Sequence, residues 1–466
     1  MKILKKVLER EKKKKKMKNR FYNSLENKKF LRTLIFLAIP MILGELMAHS
    51  VNFVDMWMVG QLSLESITGL GLSKRLFFLF IMLVFGINSG GAVFMGQYWG
   101  KGDVTGIHRV LGIALSFNLA VSAIFAGIAI FAPRWFMSIL TSNPAVIEEG
   151  VRYLAVASIT YFLTSISFTI VVAMRSIRQT KLPMISSFFA LLTKIAVNYL
   201  LIFVLDMGIV GAAWGTVASR SIEICVQIYL IKRHRLPIFT HWRKHFAFDV
   251  GYLKKFAKTA LPVVGNEFAW GLGIFMYEVA YQFTGTAGQG ALQLSENIQH
   301  IFMIAGISTG AASGIIIANH LGAGEKEAAI KASRRCVAIG TVITAFMAIV
   351  LFLTAPFIVS TYGSISSEVQ AIASSNLMII ALFMIPRTIN YYFIISILRQ
   401  GGDTMFCLLL DTGSVWLIGI PLAFLGAYVL GLPIYLVLTL VYIEEVVKFF
   451  IAGHRVRKNK WANKLV

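Results

Sequence analysis

The chain has 466 residues, 57% of them hydrophobic and only 14% charged, with a mean hydropathy of +0.72. That balance excludes a soluble globular domain and points to a protein embedded in lipid. A net charge of +23 could suit nucleic acid, and Lys12–Lys16 is the kind of run that suggests it. No soluble reading module accompanies the run, so no nucleic-acid partner is expected, and the basic groups read as anchors to membrane lipids.

A basic arm, 1–30, opens the chain, and its lysine density favours a disordered, lipid-facing segment. The apolar stretch behind it is too long for a cleavable signal peptide. Twelve apolar segments follow, near 34–60, 69–98, 107–132, 151–174, 182–205, 209–231, 258–284, 291–320, 332–357, 371–398, 405–428 and 433–453. Each is about long enough to cross a hydrocarbon core of roughly 30 Å. The fold predicted is an all-α membrane protein, twelve transmembrane helices in two pseudo-symmetric six-helix lobes. The lobes take 31–231 and 258–453, joined by a connector, 232–257, and followed by a basic tail, 454–466. Most of the 45 Lys and Arg lie in the arm, the connector, the tail and the loops 99–109, 175–181 and 321–335. Basic loops stay inside, so both termini are predicted to face the cytoplasm of a prokaryotic plasma (inner) membrane protein, expected as a monomer.

The two halves repeat one another. Pro40-Met-Ile-Leu-Gly-Glu45 matches Pro262-Val-Val-Gly-Asn-Glu267, and Phe85–Ala92 matches Ala305–Ala312. Gly100-Lys-Gly-Asp103 matches Gly322-Ala-Gly-Glu325, and Arg175–Thr180 matches Arg399–Thr404. Duplicated bundles with acids at membrane depth move something across the bilayer.

Charges inside membrane helices cost several kcal/mol, so each needs a reason. They are Glu45, Asp55, Lys194, Arg220, Glu223, Glu267, Glu278, Arg387 and Asp411, with His49, His300 and His320 able to titrate. Arg220 and Glu223, three apart, read as a structural pair. Lys194 and Arg387 read as partners to nearby acids or as snorkelling groups. By helix rise, Asp55, Asn198 and Thr216 fall in one layer of the outer half. Their oxygens would suit a dehydrated cation such as sodium, while a lone carboxylate in an apolar pocket would equally suit a proton. Helix-to-helix hydrogen bonding accounts for Asn198 and Thr216 just as well. Glu45 and Glu267 share a register five residues after a proline, where a bend can open a cavity. The cysteines Cys225, Cys336 and Cys407 have neither metal spacing nor a disulfide framework.

Pro40, Val54-Asp55, Gly60-Gln-Leu62, the Gly100–Asp103 turn, Gly211-Ala-Ala-Trp-Gly-Thr216 and Leu398-Arg399-Gln-Gly-Gly-Asp403-Thr404 together resemble the multidrug and toxic compound extrusion (MATE) transporters. The resemblance runs from about 31 to 450. It implies two six-helix lobes around a central cavity and export of organic cations in exchange for sodium or protons, with no other cofactor. It also implies ion coupling at Asp55, Asn198 and Thr216, a possible sodium site, and a functional role for Glu267; with Glu45 added by its shared register, Glu267, Glu45 and Asp55 are the expected substrate-binding acids. Two positions depart from the family pattern, Ile202 and Thr388, where aspartates would complete the ion sites. The rival within the superfamily is a flippase for lipid-linked oligosaccharides or precursors, which would want a cationic cavity. No cluster of nucleophile, base or metal ligands suggests an enzyme.

Overall fold

The computed structural model describes the backbone of residues 2–238, 250–362 and 366–466, and the side chains of 28–238, 251–362 and 366–466. Part of the expected connector therefore lies outside the described residues. The first half contains α1 (Lys2–Val59), α2 (Leu64–Lys101), α3 (Val104–Phe131), the short α4 (Pro133–Leu140), α5 (Pro144–Ser176), α6 (Lys181–Tyr199) and α7 (Gly208–Arg233). The second contains α8 (Val250–Tyr281), α9 (Gly285–Gly322), α10 (Lys326–Ser360), α11 (Ser367–Tyr391), α12 (Thr404–Ser414), α13 (Ile434–Val441) and α14 (Ile443–Arg457). π-helical turns extend α6 over Leu200–Val204 and α11 over Tyr392–Leu398, and α12 continues through irregular turns to Val429.

Ten stretches among the described residues are long and apolar enough to span a membrane. One of them, Gly251–Gly322, holds both α8 and α9. The final pass, α13 with α14, escapes that count because it breaks at Tyr442 and carries Glu444, Glu445 and Lys448. Twelve crossings result, six in each half. Helical backbone begins at Lys2, consistent with an arm rich in Lys, Glu, Leu and Arg, all good helix formers.

Local chemistry explains the turns. Gly102 ends α2 in the left-handed region at φ 80°, and Asp103 caps α3 by accepting the Gly106 N–H at 2.9 Å. The equivalent glycine of the second half, Gly324, has φ 82° between α9 and α10. The repeat extends to packing. In the first half α5 packs on α2, α3 and α7, while α6 packs on α1 and α7. In the second, α11 packs on α9, α10 and the α13–α14 pass, while α12 packs on α8 and α14. The halves meet where α1 packs on α9 and where α2 packs on α8 and α9.

At the end bearing the basic loops, two residues in equivalent positions cross the seam. Asn319 on α9 donates to the Gly96 carbonyl at 2.8 Å and the Ser176 carbonyl at 3.3 Å, and accepts from Arg178 at 2.6 Å. Gln97 on α2 donates to the Gln400 carbonyl at 3.0 Å and accepts the Leu465 N–H at 2.7 Å. Glycine permits the approach. A Cβ on Gly100 would lie 1.9 Å from the Asn319 carbonyl oxygen, and one on Gly322 1.8 Å from that of Gln97. The C-terminal tail joins this clasp, with Trp461 fully buried.

Gly322→Ala should therefore lower the melting temperature of the purified protein, since forcing a methyl into a filled contact costs about 1–3 kcal/mol. Gly127→Ala on α3 has open space around it and should not. Indistinguishable melting curves for the two variants would contradict the close contact.

Candidate functional site

A cavity of about 330 Å³ lies between the halves, lined by α1, α2 and α5 on one side and α9 and α11 on the other. Its walls combine apolar groups, among them Met41, Phe85 and Phe168, with Glu45, Arg175, His49 and His300. The His49 and His300 rings face one another across the seam, their centroids 5.9 Å apart.

The repeated acids and arginines meet. In the first half Arg175 Nη2 lies 3.3 Å from Glu45 Oε1. In the second, Arg399 Nη2 lies 2.8 Å from Glu267 Oε1. Arg399 also donates to Ser89, which lines the cavity from the opposite half, at 2.9 Å. Arg399 is fully buried, and the repeat supplies Glu267 as the acid that a buried arginine needs.

Asp55, Asn198 and Thr216 also converge, away from the cavity and among α1, α6 and α7. Asn198 Nδ2 donates to Asp55 Oδ1 at 3.1 Å. The carboxylate is not alone, which corrects the premise of a lone acid. Fully buried Lys194, one turn before Asn198 on α6, puts its Nζ 2.6 Å from Asp55 Oδ1. Lys194 also donates to the Ala212 carbonyl at 3.1 Å and to Thr216 Oγ1. Lys74 on α2 stands 3.5 Å from Asp55 Oδ2. The Arg220–Glu223 pair forms as expected, at 2.6 Å.

The second half holds a buried cluster that hydropathy reading passes over. Lys448 lies 3.3 Å from Asp411, 3.2 Å from Glu445 and 3.6 Å from Glu444. Asn266 donates to Asp411 at 3.1 Å, Asn390 to Glu445 at 2.7 Å, and Tyr277 to Glu444 at 2.8 Å. The missed signal is Glu444 and Glu445 at four and three residues before Lys448, the spacing at which side chains on one helix pair. Of the three acids expected to receive substrate, only Glu45 lines the cavity. Glu267 meets Arg399 behind Ser89, and Asp55 faces the interior of its own half.

The sequence model of the MatE family matches residues 40–200 and 263–425, one copy in each half. The chain belongs to the MatE family. It is 22% identical over 415 residues to the uncharacterized transporter YisQ of Bacillus subtilis, covering 88% of this chain and 90% of that protein. It is 21% identical over 413 residues to the probable multidrug resistance protein NorM of Thermotoga maritima, covering 84% and 85%. The fold matches a crystal structure of MATE in complex with MaL6 at TM-score 0.83, with 17% identity and 92% and 96% coverage. It also matches a superfamily transporter of Pyrococcus furiosus at TM-score 0.82, with 17% identity and the same coverage.

The Asp55–Lys194 pair is buried on both sides. Removing one partner of a buried pair strands the other, so Lys194→Met should destabilise the protein by about 3 kcal/mol, the low end because Lys74 remains. Asp55→Asn/Lys194→Met removes both charges and should recover most of that loss. Thermal melting of the four proteins of the cycle measures the coupling; additive losses would mean that the two groups do not pair.

Proposed function

We propose that this MatE protein is a secondary active antiporter that exports organic cations or drugs in exchange for a cation moving inward. The observation that carries this reading is the cavity between the halves, walled by the Glu45–Arg175 pair and closed at one end by the Gln97–Asn319 clasp. Its size falls within the range of small-molecule sites, and an apolar wall with a few charged groups suits a lipophilic cation. Names of relatives such as NorM, a probable multidrug resistance protein, support that substrate class.

The mechanism follows from the repeat. A cation in the cavity competes with Arg175 for Glu45. Transport requires the clasp to open, so that the halves rock about the seam and the cavity faces the other side. Coupling requires states that favour drug and ion differently. We assign coupling to the buried charges behind the cavity: Asp55 with Asn198 and Thr216 in the first half, and Glu267 with Arg399 in the second. The basic end is assigned to the cytoplasm of a plasma membrane by the positive-inside rule, with the protein acting as a monomer among lipids. A flippase for phosphate-bearing lipids is disfavoured, because the arginines at and behind the wall are already matched by Glu45 and Glu267.

Ethidium efflux from energised cells tests this reading. Wild type should export the dye, and Glu45→Gln should lower the rate about tenfold, the loss expected of one interaction near 1.4 kcal/mol. Correctly inserted wild type that exports no organic cation under any imposed gradient would contradict it.

A further inference from the structure

We propose that Lys194 fills the cation position of the first-half site, so that Asp55, Asn198 and Thr216 hold this chain's own ammonium and take no sodium. The inference rests on the transporter reading for its meaning in coupling, although sodium binding is measured without transport.

Three observations support it. First, an ammonium has three N–H donors, and Lys194 has three acceptors: Asp55 Oδ1 at 2.6 Å, the Ala212 carbonyl at 3.1 Å and Thr216 Oγ1. A bare sodium ion at this place would need the same carboxylate, carbonyl and hydroxyl oxygens. The lysine is thus a tethered substitute, held at an effective concentration no free ion reaches. Second, Asn198 turns its N–H towards Asp55, while its carbonyl oxygen abuts the Gly215 backbone, where a Cβ would lie only 1.8 Å from it. In this arrangement the amide serves the acid as a donor, and its carbonyl oxygen takes no part in holding the ammonium.

Third, the charge balance is already positive. One carboxylate faces two ammonium groups, because Lys74 lies 3.5 Å from Asp55 Oδ2. Sodium placed beside either lysine would meet like-charge repulsion. Lys194 is fully buried and Lys74 only a quarter exposed, so solvent relieves little of it. The departure from the sodium-binding pattern is therefore wider than Ile202 alone. That position lacks a carboxylate, and Lys194 supplies the compensating cation from the same helix.

Sodium titration of the purified full-length protein, read by thermal shift and by radioactive sodium binding, tests the proposal with sodium chloride against choline chloride. In the wild type, no sodium response should depend on Asp55. Lys194→Met should acquire one, at least about tenfold above wild-type affinity given the repulsion removed. Asp55→Asn/Lys194→Met, which loses both charges together, should lose that gain. Sodium binding by wild type that disappears in Asp55→Asn would overturn the proposal, as would a folded Lys194→Met protein that gains no response. If Lys194→Met does not fold, Lys194→Gln and the wild-type against Asp55→Asn comparison decide the matter. A failure of drug efflux with these sodium results intact would count against the transporter reading and leave this one standing.

Discussion

A charge in the interior of a membrane bundle must be matched, and that constraint organises this protein. Each fully buried base described above meets an acid: Arg399 with Glu267, Lys194 with Asp55, and Lys448 with Asp411, Glu444 and Glu445, while the partly exposed Arg175 meets Glu45 at the cavity wall. Breaking such a pair is far more costly than never having made it. The pairs therefore resist loss once formed, and they fix which helices can be neighbours. Arg399 ties the end of α11 to α8 and reaches Ser89 across the seam, so one side chain couples both halves to the cavity.

Duplication makes the pairs symmetric, and divergence then makes them differ. The acid–arginine pair survives in both halves, 3.3 Å in the first and 2.8 Å in the second, with only the first-half pair at the cavity wall. Around Asp55 two lysines face one acid, whereas around Lys448 three acids face one lysine. The surroundings of Asp55 are locally positive, whereas the acids around Lys448 are also faced by Arg387. Halves that rock against one another around a shared site need not share the work of holding a cation equally.

The twelve crossings are legible in the sequence because lipid demands long apolar runs, and the repeat is legible because its turns use glycine and acidic caps at fixed places. The pass left out of the ten apolar stretches, α13 with α14, is the pass whose charges are matched inside the bundle. Asp55, Asn198 and Thr216 are legible as a layer because helix rise is regular. Their central partner is less so. Lys194 is one turn from Asn198 on the same face, but a lysine reads as a snorkelling group until the acid it meets is located in space. The clasp is hidden for a different reason. Gln97 and Asn319 are ordinary amides in sequence, and only the approach of two helices through Gly100 and Gly322 gives them partners across the seam.

The central claim is that one cavity faces the two sides of the membrane in turn. The decisive measurement is the reactivity of Ser308→Cys, on the cavity wall of a protein whose Cys225, Cys336 and Cys407 are replaced by serine or alanine, towards an impermeant thiol reagent added to either side of sealed vesicles. Labelling from the far side is expected when the clasp is closed, and from the basic-loop side as well during turnover, with an organic cation slowing both. Labelling confined to one side under every gradient and substrate condition would contradict it.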